Sequence, residues 1–334
     1  KGINILSEKC PVVLDHYKLA MRPVNHPPHG QTKSVKIGLR SWFYGKIVIL
    51  PVAKTMAVLV LQHPELAQLN WQAWSALFNP STQNHPSVWR IQVADDFALS
   101  TEQSQWLDAQ NIDAAILPDV PFSDLGLIIS DMDSTLITIE CIDEIAAGNG
   151  LKDQVAAITE RSMAGELDFA ESLRERVALL KGLPESELAY VYDHVLQLTA
   201  GAETLIAACK QHGVKFMLVS GGFTYFTERL KSQLGLDYAY ANELEIADGK
   251  LTGKLTGRMI DAQAKADLLR QHALELNIPL SHTLAMGDGA NDIPMIQAAG
   301  FGVAFHAKPK TRSVADICIN HGGLDAIYNC FTHK

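Results

Sequence analysis

Two aspartates separated by one residue, Asp131 and Asp133, directly follow the apolar run of residues 125–129. A short apolar run of this kind predicts a strand buried on both faces of a parallel sheet. Side chains two positions apart on a strand share a face, so we expect both carboxylates to lie at the sheet edge where open α/β folds bind ligands. Two such carboxylates repel each other, and the site must therefore hold a cation, protonate one carboxyl group, or do both.

Two more runs of strand-like composition, residues 214–219 and 281–286, end in turns that contain glycine and polar residues. The first turn is residues 220–222, Ser-Gly-Gly, and the second is residues 287–292, Gly-Asp-Gly-Ala-Asn-Asp. Between the two runs, Lys265 falls in the first turns of a predicted helix. Because parallel strands direct their carboxyl ends to one sheet edge, we expect all of these groups to meet the two aspartates.

These four segments, in order, resemble the signature of the haloacid dehalogenase-like hydrolase (HAD) superfamily: DxDxT, a Ser or Thr after a second strand, a Lys, and GDxxxD. In finer detail, the segments DMDSTLITIECIDEIA, VSGGF, ANELEIADGKLTG and MGDGANDIPMIQAAG resemble the phosphoserine phosphatases. The resemblance covers residues 123–334 and is weaker over the first third of the chain. It implies an α/β fold with a Rossmann-like parallel sheet and an inserted helical cap.

The resemblance implies catalytic roles for the first two aspartates. Asp131 would be the nucleophile that attacks phosphorus to form an aspartyl-phosphate. Asp133 would be the general acid toward the leaving alkoxide and then the base for the hydrolytic water. The alternative is that both residues merely cap the next helix or stabilise a turn, which the other three segments disfavour. A glycosidase-like carboxylate pair is also disfavoured, because such pairs come from separated elements.

A metal site is the second implication. Asp288 and Asp292 would hold the ion together with Asp131 and the backbone carbonyl of Asp133. A site made only of oxygen ligands, with few carboxylates, suits Mg²⁺. We expect Asp288 to be a direct ligand, whereas Asp292 has three open roles: binding through water, orienting Lys265, or capping a helix.

A phosphate site is the third implication. The hydroxyl of Ser220 and the amides of Gly221 and Gly222 form a turn at which backbone N–H groups favour an anion. Lys265 would add a positive charge for the same phosphate and keep Asp131 ionised. A lone lysine on a helix usually faces solvent, but this one shares a stripe with three leucines, so we expect it to face inward. The stripe consists of Leu268, Leu269 and Leu276.

Arg176 lies on the apolar face of a helix that we expect to begin at Asp168, with Glu171 as the partner in a capping box. The apolar positions of that face have helical spacing: Phe169, Leu173 and Leu180. A charge on such a face must be paired or must contact a ligand. Arginine binds carboxylates in a bidentate fork, so a substrate carboxylate is one partner and an internal salt bridge is the alternative.

Four more residues match positions that contact substrate in the phosphoserine phosphatases. Glu140 would face the ammonium group of the substrate, and Asn291 lies on the substrate side of the GDxxxD segment. Met163 and Phe169 match substrate-side positions in the cap, where plain packing within the cap is an equal alternative.

The hydrophobic patterns predict two domains. Residues 121–334 form the HAD-type domain, with its helical cap at about 139–198 and a β-hairpin at 243–256. Residues 1–120 form a smaller α+β domain that resembles the amino-acid-binding ACT-type regulatory domains of bacterial relatives. The second half of this domain is expected to contain a helix over residues 67–78 and three strands. These strands are residues 56–61, 89–93 and 114–117.

The composition excludes several classes of protein. The 334-residue chain carries a formal net charge of −9 and no basic stripe, which argues against a nucleic-acid partner. No apolar run approaches the ~20 residues of a membrane span, and the start of the sequence does not resemble a secretory signal. Five scattered cysteines without C-x-x-C spacing suggest neither zinc nor a disulfide framework, so we expect a cytoplasmic protein.

The sequence therefore predicts a Mg²⁺-dependent enzyme that hydrolyses O-phospho-L-serine, a small phosphoester, to L-serine and phosphate, the last step of serine biosynthesis. Two alternatives stay open: a HAD phosphatase or phosphotransferase acting on another small phosphomonoester, and a non-catalytic amino-acid sensor. An intact set of Asp131, Asp133, Lys265 and Asp288 opposes the sensor, because a pure binder needs no nucleophile. Whether the chain forms a homodimer, and whether an amino-acid effector binds the first domain, is left open.

Overall fold

Strands and helices alternate along the computed structural model of this chain, which describes residues 57–79, 85–163 and 166–333. The strands are β1 (Ala57–Gln62), β2 (Val88–Val93), β3 (Asp113–Pro118), β4 (Leu127–Ser130), β5 (Lys215–Phe223), β6 (Tyr238–Ala247), β7 (Lys250–Thr256), β8 (Thr283–Gly287), β9 (Phe301–Phe305) and β10 (Ile317–Ile319). The helices are α1 (Thr101–Ala109), α2 (Cys141–Gly148), α3 (Lys152–Met163), α4 (Phe169–Leu179), α5 (Ser186–His194), α6 (Ala202–His212), α7 (Thr224–Leu234), α8 (Ala262–Glu275), α9 (Ile293–Ala298), α10 (Pro309–Arg312) and α11 (Asp325–Asn329).

The ten strands form one sheet in the order β2-β1-β3-β10-β9-β8-β4-β5-β6-β7. The six strands from β10 to β6 run parallel, whereas the pairs at the two ends are antiparallel. Strand β4 has β5 on one side and β8 on the other, so the order of the chain reverses there. Open α/β sheets bind ligands at such a reversal, outside the carboxyl ends of the strands. The predicted Rossmann-like sheet is confirmed.

The central strand is buried on both faces, as its apolar sequence predicts. Ile128 points into a large core beneath helices α6 and α7, whereas Leu127 and Ile129 point into a second core beneath α8 and α9. All three side chains have 0% exposure. This burial on both faces fixes the register of β4 relative to its neighbouring strands. The position of Asp131, which follows the strand, is fixed with it.

The predicted helical cap is confirmed. Helices α2 to α5 lie between β4 and β5 in the chain. The predicted start of α4 is also confirmed, because Asp168 caps the helix and accepts a hydrogen bond from the Glu171 amide at 2.7 Å. The hairpin of β6 and β7 turns at Asp248 and Gly249, both with positive φ, as its sequence predicts.

This hairpin also contacts the cap. The amide of Gly182 donates to the Leu251 carbonyl at 2.8 Å, and the Leu251 amide donates to Leu183 at 2.8 Å. The amide of Glu185 donates to the Gly249 carbonyl at 2.9 Å. The segment between α4 and α5 is thereby paired to the hairpin by backbone hydrogen bonds, which restricts where α4 can lie.

Strands β1 to β3 extend the sheet on its other side, through an antiparallel contact between Ala115 of β3 and Ile317 of β10. The predicted strands of this region are confirmed to within two residues at each end. All described residues belong to one compact unit, residues 53–334. The domain boundary near residue 120 and the ACT-like character of the first domain remain predictions, and the first 56 residues lie outside the described part.

The prediction of a helix over residues 67–78 is wrong. The chain instead forms two short 3₁₀ turns, Leu66–Gln68 and Gln72–Trp74. The side chain of Asn70 accepts a hydrogen bond from the Gln72 amide at 3.1 Å, and the Trp71 indole donates to the Leu66 carbonyl at 2.8 Å. Asparagine side chains that bond to nearby amides compete with the hydrogen bonds of a helix. Here the local bonds form instead of the helix, and the resulting turns let the aromatic rings pack together. The packed rings belong to Trp71, Trp74, Phe78, Trp89 and Trp106.

The sequence analysis expected neither a membrane span nor a disulfide framework. Among the described residues, every helix is too short or too polar to span a membrane. Four described cysteines carry free thiols: Cys141, Cys209, Cys318 and Cys330.

The carboxylate of Asp113, at the start of β3, anchors the loop that follows β10. It is 3% exposed and accepts from the amides of Asn320 and Gly322, each at 2.7 Å, and more weakly from His321. Hydrogen bonds to a charged group contribute about 1.5–3 kcal/mol each. We therefore predict that Asp113→Ala lowers the free energy of unfolding by about 2–4 kcal/mol, measured by denaturant titration.

The matched control is Asp96→Ala, which removes an exposed carboxylate from the same part of the chain. A loss of stability in the Asp113 variant no larger than in this control would contradict the anchoring role.

Candidate active site

The chain leaves β4 through an irregular turn that returns the second aspartate toward the sheet edge. Ser134 has φ of 54°, and Asp133 has an extended ψ of 136°, so residues 132–136 do not form a regular helix. The amide of Asp131 still donates to Met286 of β8 at 3.0 Å and continues the parallel ladder. Asp131 is thus held by the sheet, while Asp133 is placed by the turn.

One carboxylate oxygen of Asp131 is occupied and the other is free to react. Its Oδ1 accepts from the Met132 amide at 2.7 Å and from Lys265 Nζ at 2.8 Å. No hydrogen bond to Oδ2 occurs within the part of the chain that the structure describes. An ionised carboxylate with one held oxygen and one unengaged oxygen is the arrangement that a nucleophile needs.

Lys265 faces inward, as the leucine stripe on its helix predicts. Its side chain is 1% exposed, and Nζ contacts Asp131 Oδ1 at 2.8 Å and Asp292 Oδ1 at 2.7 Å. Burial lowers the pKa of Lys265, but the charges of Asp131 and Asp292 outweigh burial and raise it above its usual value. The ammonium group therefore remains charged.

The geometry bears on the open role of Asp292. Its Oδ1 accepts from Lys265, and its Oδ2 accepts from the Gly289 amide at 3.0 Å. The residue is 0% exposed, and it precedes α9. Asp292 thus orients Lys265 and fastens the glycine-rich turn at the same time.

Asp133 is held by groups from the cap and from β5. Its Oδ1 accepts from the Cys141 amide, the first residue of α2, at 3.0 Å, and its Oδ2 accepts from the Ser220 hydroxyl at 3.3 Å. Burial raises the pKa of Asp133 to about 6, with a further contribution from the Asp131 charge and an opposing one from the Cys141 amide. A carboxyl group tuned in this direction is suited to proton transfer near neutral pH.

The turn after β5 is built around the Ser220 hydroxyl. Its Oγ accepts from the Gly222 amide at 2.8 Å while it donates to Asp133. The Gly222 amide, which the sequence suggested as a phosphate donor, is therefore engaged within the protein. Gly221, the middle residue of the turn, lines the cavity described below.

Three carboxylates fit a cation of hard character. Oxygens of Asp131, Asp288 and Asp292 lie within 4.8 Å of one another. Burial raises the pKa of Asp288 to about 6 and that of Asp292 to about 7, and the Asp131 charge adds to both shifts. Closely spaced carboxylate oxygens with one ammonium among them are the ligand type that Mg²⁺ and Ca²⁺ prefer.

The carboxylates and the cap enclose a cavity of about 660 Å³. It brings together most of the residues that the sequence proposed for catalysis, metal binding and substrate binding: Asp131, Asp133, Glu140, Phe169, Arg176, Gly221, Asp288 and Asn291. The side chain of Met163 lies outside the described part of the structure. Lys265, Asp292 and Ser220 lie behind the wall and support it.

Arg176 and Glu140 both line the cap side of this cavity. The guanidinium of Arg176 donates weakly to the Ser172 carbonyl, at 3.4 Å, and makes no salt bridge with any residue of the described ranges. Burial lowers its pKa, while Asp143 and Glu140 oppose that shift. Glu140 accepts from the Ser134 hydroxyl at 2.7 Å, and burial beside Asp133 raises its pKa to about 8.

Comparison with known proteins agrees with this arrangement. The sequence model of the haloacid dehalogenase-like hydrolase family matches residues 128–297. The chain belongs to that family. Among curated proteins, the phosphoserine phosphatase of Polaromonas sp. (strain JS666) is 51% identical over 215 residues, which cover 63% of this chain and 91% of the relative.

Two further relatives of this HAD-family chain extend the likeness. The phosphoserine phosphatase of Streptomyces coelicolor is 40% identical over 328 residues, or 91% of this chain and 80% of the relative. The crystal structure of a probable phosphoserine phosphatase from Vibrio cholerae, in unliganded form, superposes with a TM-score of 0.70 at 39% identity. It covers 83% of this chain and 86% of the other. The sequence similarity to the Streptomyces relative thus extends beyond residues 128–297, which the family model matches.

Several cavity residues were not foreseen from the HAD signature. They are Asp143, Thr159, Ser162 and Lys308. Asp143 follows Glu140 by three residues, and Thr159 and Ser162 are three apart on α3, so helical spacing alone was a usable signal for these three. Lys308 lies beyond β9, and nothing in its local sequence links it to the site.

Phe169 and Gly221 are in close contact across the cavity. A Cβ atom on Gly221 would lie 3.0 Å from Phe169 Cζ, so the ring packs over the turn that follows β5. Phe169 therefore contacts the site, in addition to any packing within the cap.

Residue 222 has to be glycine because the Asp133 carboxylate lies against its backbone. A Cβ atom at residue 222 would lie 2.7 Å from Asp133 Oδ2 and 3.0 Å from Ser220 Oγ. We predict that Gly222→Ala displaces the Asp133 carboxylate and lowers kcat about 10–100-fold, because misplacing a reacting group by 1 Å can cost about that much. The measurement is nitrophenol release from nitrophenyl phosphate, since the relatives are phosphatases.

The control for this change is Gly148→Ala in the cap, where a Cβ atom would meet nothing within 4 Å. Equal activity of the two variants, both folded by circular dichroism, would show that Gly222 does not constrain Asp133.

Proposed function

We propose that this chain is a phosphoserine phosphatase, which hydrolyses O-phospho-L-serine to L-serine and phosphate in the last step of serine biosynthesis. The observation that carries the proposal is the position of Arg176. Its guanidinium lines the same cavity as the Asp131 carboxylate without a salt-bridge partner in the described ranges. A half-buried arginine in this state is suited to bind a ligand carboxylate.

In the first step, an oxygen of Asp131 attacks phosphorus, and the bond from phosphorus to the serine oxygen breaks. Asp133 gives its proton to the departing alkoxide, so serine leaves with a neutral hydroxyl group. In the second step, Asp133 takes a proton from water as the water oxygen attacks the aspartyl-phosphate. The bond from phosphorus to Asp131 then breaks and releases phosphate. The raised pKa of Asp133 supports both proton transfers.

The chain stabilises the phosphoryl group through groups that are already in place. Lys265, fixed by Asp131 and Asp292, contributes positive charge beside the nucleophile. The Gly221 amide lies at the end of β5, on the side of β4 away from β8. Donors that need no reorganisation during the reaction are the main source of electrostatic catalysis.

The metal of this site is proposed to be Mg²⁺. Asp131 and Asp288 would be its carboxylate ligands, together with the backbone carbonyl of Asp133, and Asp292 lies close enough to contribute directly or through water. When bound, the ion supplies Lewis-acid stabilisation of the charge on the phosphoryl oxygens. The all-oxygen donor set supports this choice of ion.

The amino-acid part of the substrate binds on the cap side. Arg176 grips the carboxylate, and Glu140 accepts the ammonium group. The raised pKa of Glu140 reflects its burial beside Asp133, and a cationic ammonium would favour the ionised form. Asn291 and Phe169 complete the substrate side of the cavity in this proposal.

The metal requirement gives the first test. We predict that excess chelator removes activity and that added Mg²⁺ restores it, because the buried carboxylates cannot hold the phosphate without a cation. Asp288→Ala should raise the Mg²⁺ concentration needed for half-maximal activity by at least about tenfold. Phosphate release that continues unchanged in chelator would remove the metal from the proposal.

Substrate specificity gives the second test. Phosphate release is measured from phosphoserine, phosphothreonine and phosphoethanolamine, with Asp131→Asn as the inactive reference. A charged hydrogen bond contributes about 1.5–3 kcal/mol, so Arg176→Ala should lower kcat/KM for phosphoserine at least about tenfold. Phosphoethanolamine lacks the carboxylate, so it should be a poor substrate that responds little to this change.

The matched control is Arg174→Ala, which removes an exposed arginine from the same helix. Equal losses on phosphoserine and phosphoethanolamine in the Arg176 variant would make Arg176 a structural residue. The chain would then be assigned as a HAD phosphatase for another small phosphomonoester. Failure to release phosphate from any of the three esters would favour the non-catalytic sensor.

A further inference from the structure

Asn242 is a buried amide that the mechanism does not use. It lies in β6 where that strand passes from its partner β5 to its partner β7, and it is 1% exposed. Its Nδ2 donates to the Gly221 carbonyl at 2.8 Å, and its Oδ1 accepts from the Ile260 amide at 2.8 Å. Both ends of one side chain thus bind backbone groups that are far apart in the sequence.

The first contact lies where the register between β5 and β6 is interrupted. Val219 pairs with Tyr240 and Phe223 pairs with Asn242, so β5 accommodates two more residues than β6 between these pairs. The three residues of β5 between these pairs form the Ser-Gly-Gly turn, which interrupts the regular register of the ladder. A buried carbonyl needs a donor, and the Asn242 amide supplies one at Gly221.

The second contact determines where helix α8 begins. Ile260 immediately precedes Asp261, which caps α8 by accepting from the Ala264 amide at 2.8 Å. The amide of Lys265 donates to the Asp261 carbonyl in the first turn of this helix, at 3.1 Å. A shift of Ile260 would therefore move the start of the helix and the backbone that carries Lys265.

Asn242 consequently connects two backbone segments that carry groups of the site. Gly221 belongs to the turn whose Ser220 hydroxyl contacts Asp133, and Lys265 contacts Asp131 at 2.8 Å. Asn242 touches neither of these catalytic side chains. Its effect on the reaction can only pass through the backbone segments that it joins.

We propose that Asn242 is a positioning residue for phosphoryl transfer, which sets the separation between the phosphate-binding turn at Gly221 and the lysine helix α8. The inference rests on the proposed phosphatase function. It assigns Asn242 to the phosphate, which every substrate shares, and not to the amino-acid part that Arg176 and Glu140 bind. Loss of Asn242 should therefore affect all phosphomonoesters alike.

The test uses Asn242→Asp in the full chain at saturating Mg²⁺. The carboxylate keeps an acceptor for the Ile260 amide but turns an acceptor oxygen, in place of the donor, toward the Gly221 carbonyl. Kinetics are measured with phosphoserine and nitrophenyl phosphate, together with inhibition by inorganic phosphate. We expect kcat to fall at least about tenfold on both substrates, and the inhibition constant of phosphate to rise severalfold. The ratio of the two kcat/KM values should stay within about twofold of that of the native chain.

Gln62→Met is the matched control. Gln62 is also a buried amide, 8% exposed, and its Nε2 donates to a distant backbone carbonyl, that of Ala326, at 2.8 Å. It lies in β1, six strands from β5 in the sheet order. This variant should lose thermal stability and keep native kcat, which separates lost stability from lost positioning.

Several results would overturn the inference. They are native kinetics in folded Asn242→Asp, losses confined to phosphoserine, and losses equal to those of the Gln62 control. Asn242→Ser, which leaves room for water, replaces the aspartate variant if that one does not fold. If neither variant folds, Asn242 is a structural residue and the inference is wrong.

Failure of the proposed function gives a different result. A native chain that hydrolyses nitrophenyl phosphate but not phosphoserine would refute the substrate assignment, and the loss expected for Asn242→Asp would still be measured on nitrophenyl phosphate. A native chain that hydrolyses neither ester would refute both proposals.

Discussion

The buried contact of Lys265 with Asp131 and Asp292 is the interaction on which the rest of the site depends. Removing an ammonium and two carboxylates from water is costly, and only close pairing offsets the loss of hydration. Here Nζ contacts the two carboxylates at 2.8 and 2.7 Å, and all three side chains are at most 7% exposed. The pairing requires β4, α8 and the turn after β8 to meet within a few tenths of an ångström, so the apolar core beneath α8 serves the chemistry as well as stability.

The charge of this cluster explains why it suits a cation and a phosphate together. Three carboxylates, those of Asp131, Asp288 and Asp292, face one ammonium, so full ionisation leaves two negative charges. A divalent cation would cancel these charges, and a phosphate dianion could then approach a site without net repulsion. Burial is the main cause of the raised pKa values of Asp288 and Asp292, and the charge of Asp131 adds to both shifts.

The sequence predicted the parts of the fold that depend on local patterns. The apolar run of residues 125–129 gave the central strand β4, because burial on both faces requires apolar side chains at successive positions. A capping residue gave the start of α4, because the side chain that caps a helix is close in sequence to the amide it binds. The helix over residues 67–78 failed because Asn70 and Trp71 form local contacts that periodicity does not register.

The parts of the site that escaped prediction depend on distant backbone groups. Asp133 is held by the Cys141 amide through a turn in which Ser134 has positive φ, and no sequence rule anticipates that geometry. The role of Asp292 was left open because spacing places it near the sheet edge but does not select its partner. Asn242 was not singled out at all, since its two partners, Gly221 and Ile260, are 21 and 18 residues away.

The hairpin of β6 and β7 connects the two ends of the proposed substrate site. At its base, Asn242 binds Gly221 in the turn that faces the phosphate. Near its tip, Leu251 pairs with Gly182 and Leu183, just after the helix that carries Arg176. Gly253 of the same hairpin packs so closely that a Cβ atom would lie 2.9 Å from Lys181 Cβ.

A single rigid element therefore spans from the phosphate-binding turn to the end of the arginine helix. Two antiparallel strands joined by a tight turn have little freedom to change length, since their register is fixed by the turn. The distance between the groups that would bind phosphate and carboxylate is thus set by the core of the protein and not by the cap alone. If the two groups bind as proposed, the separation of the substrate's phosphate and carboxylate must match a distance that the hairpin and the core help to set.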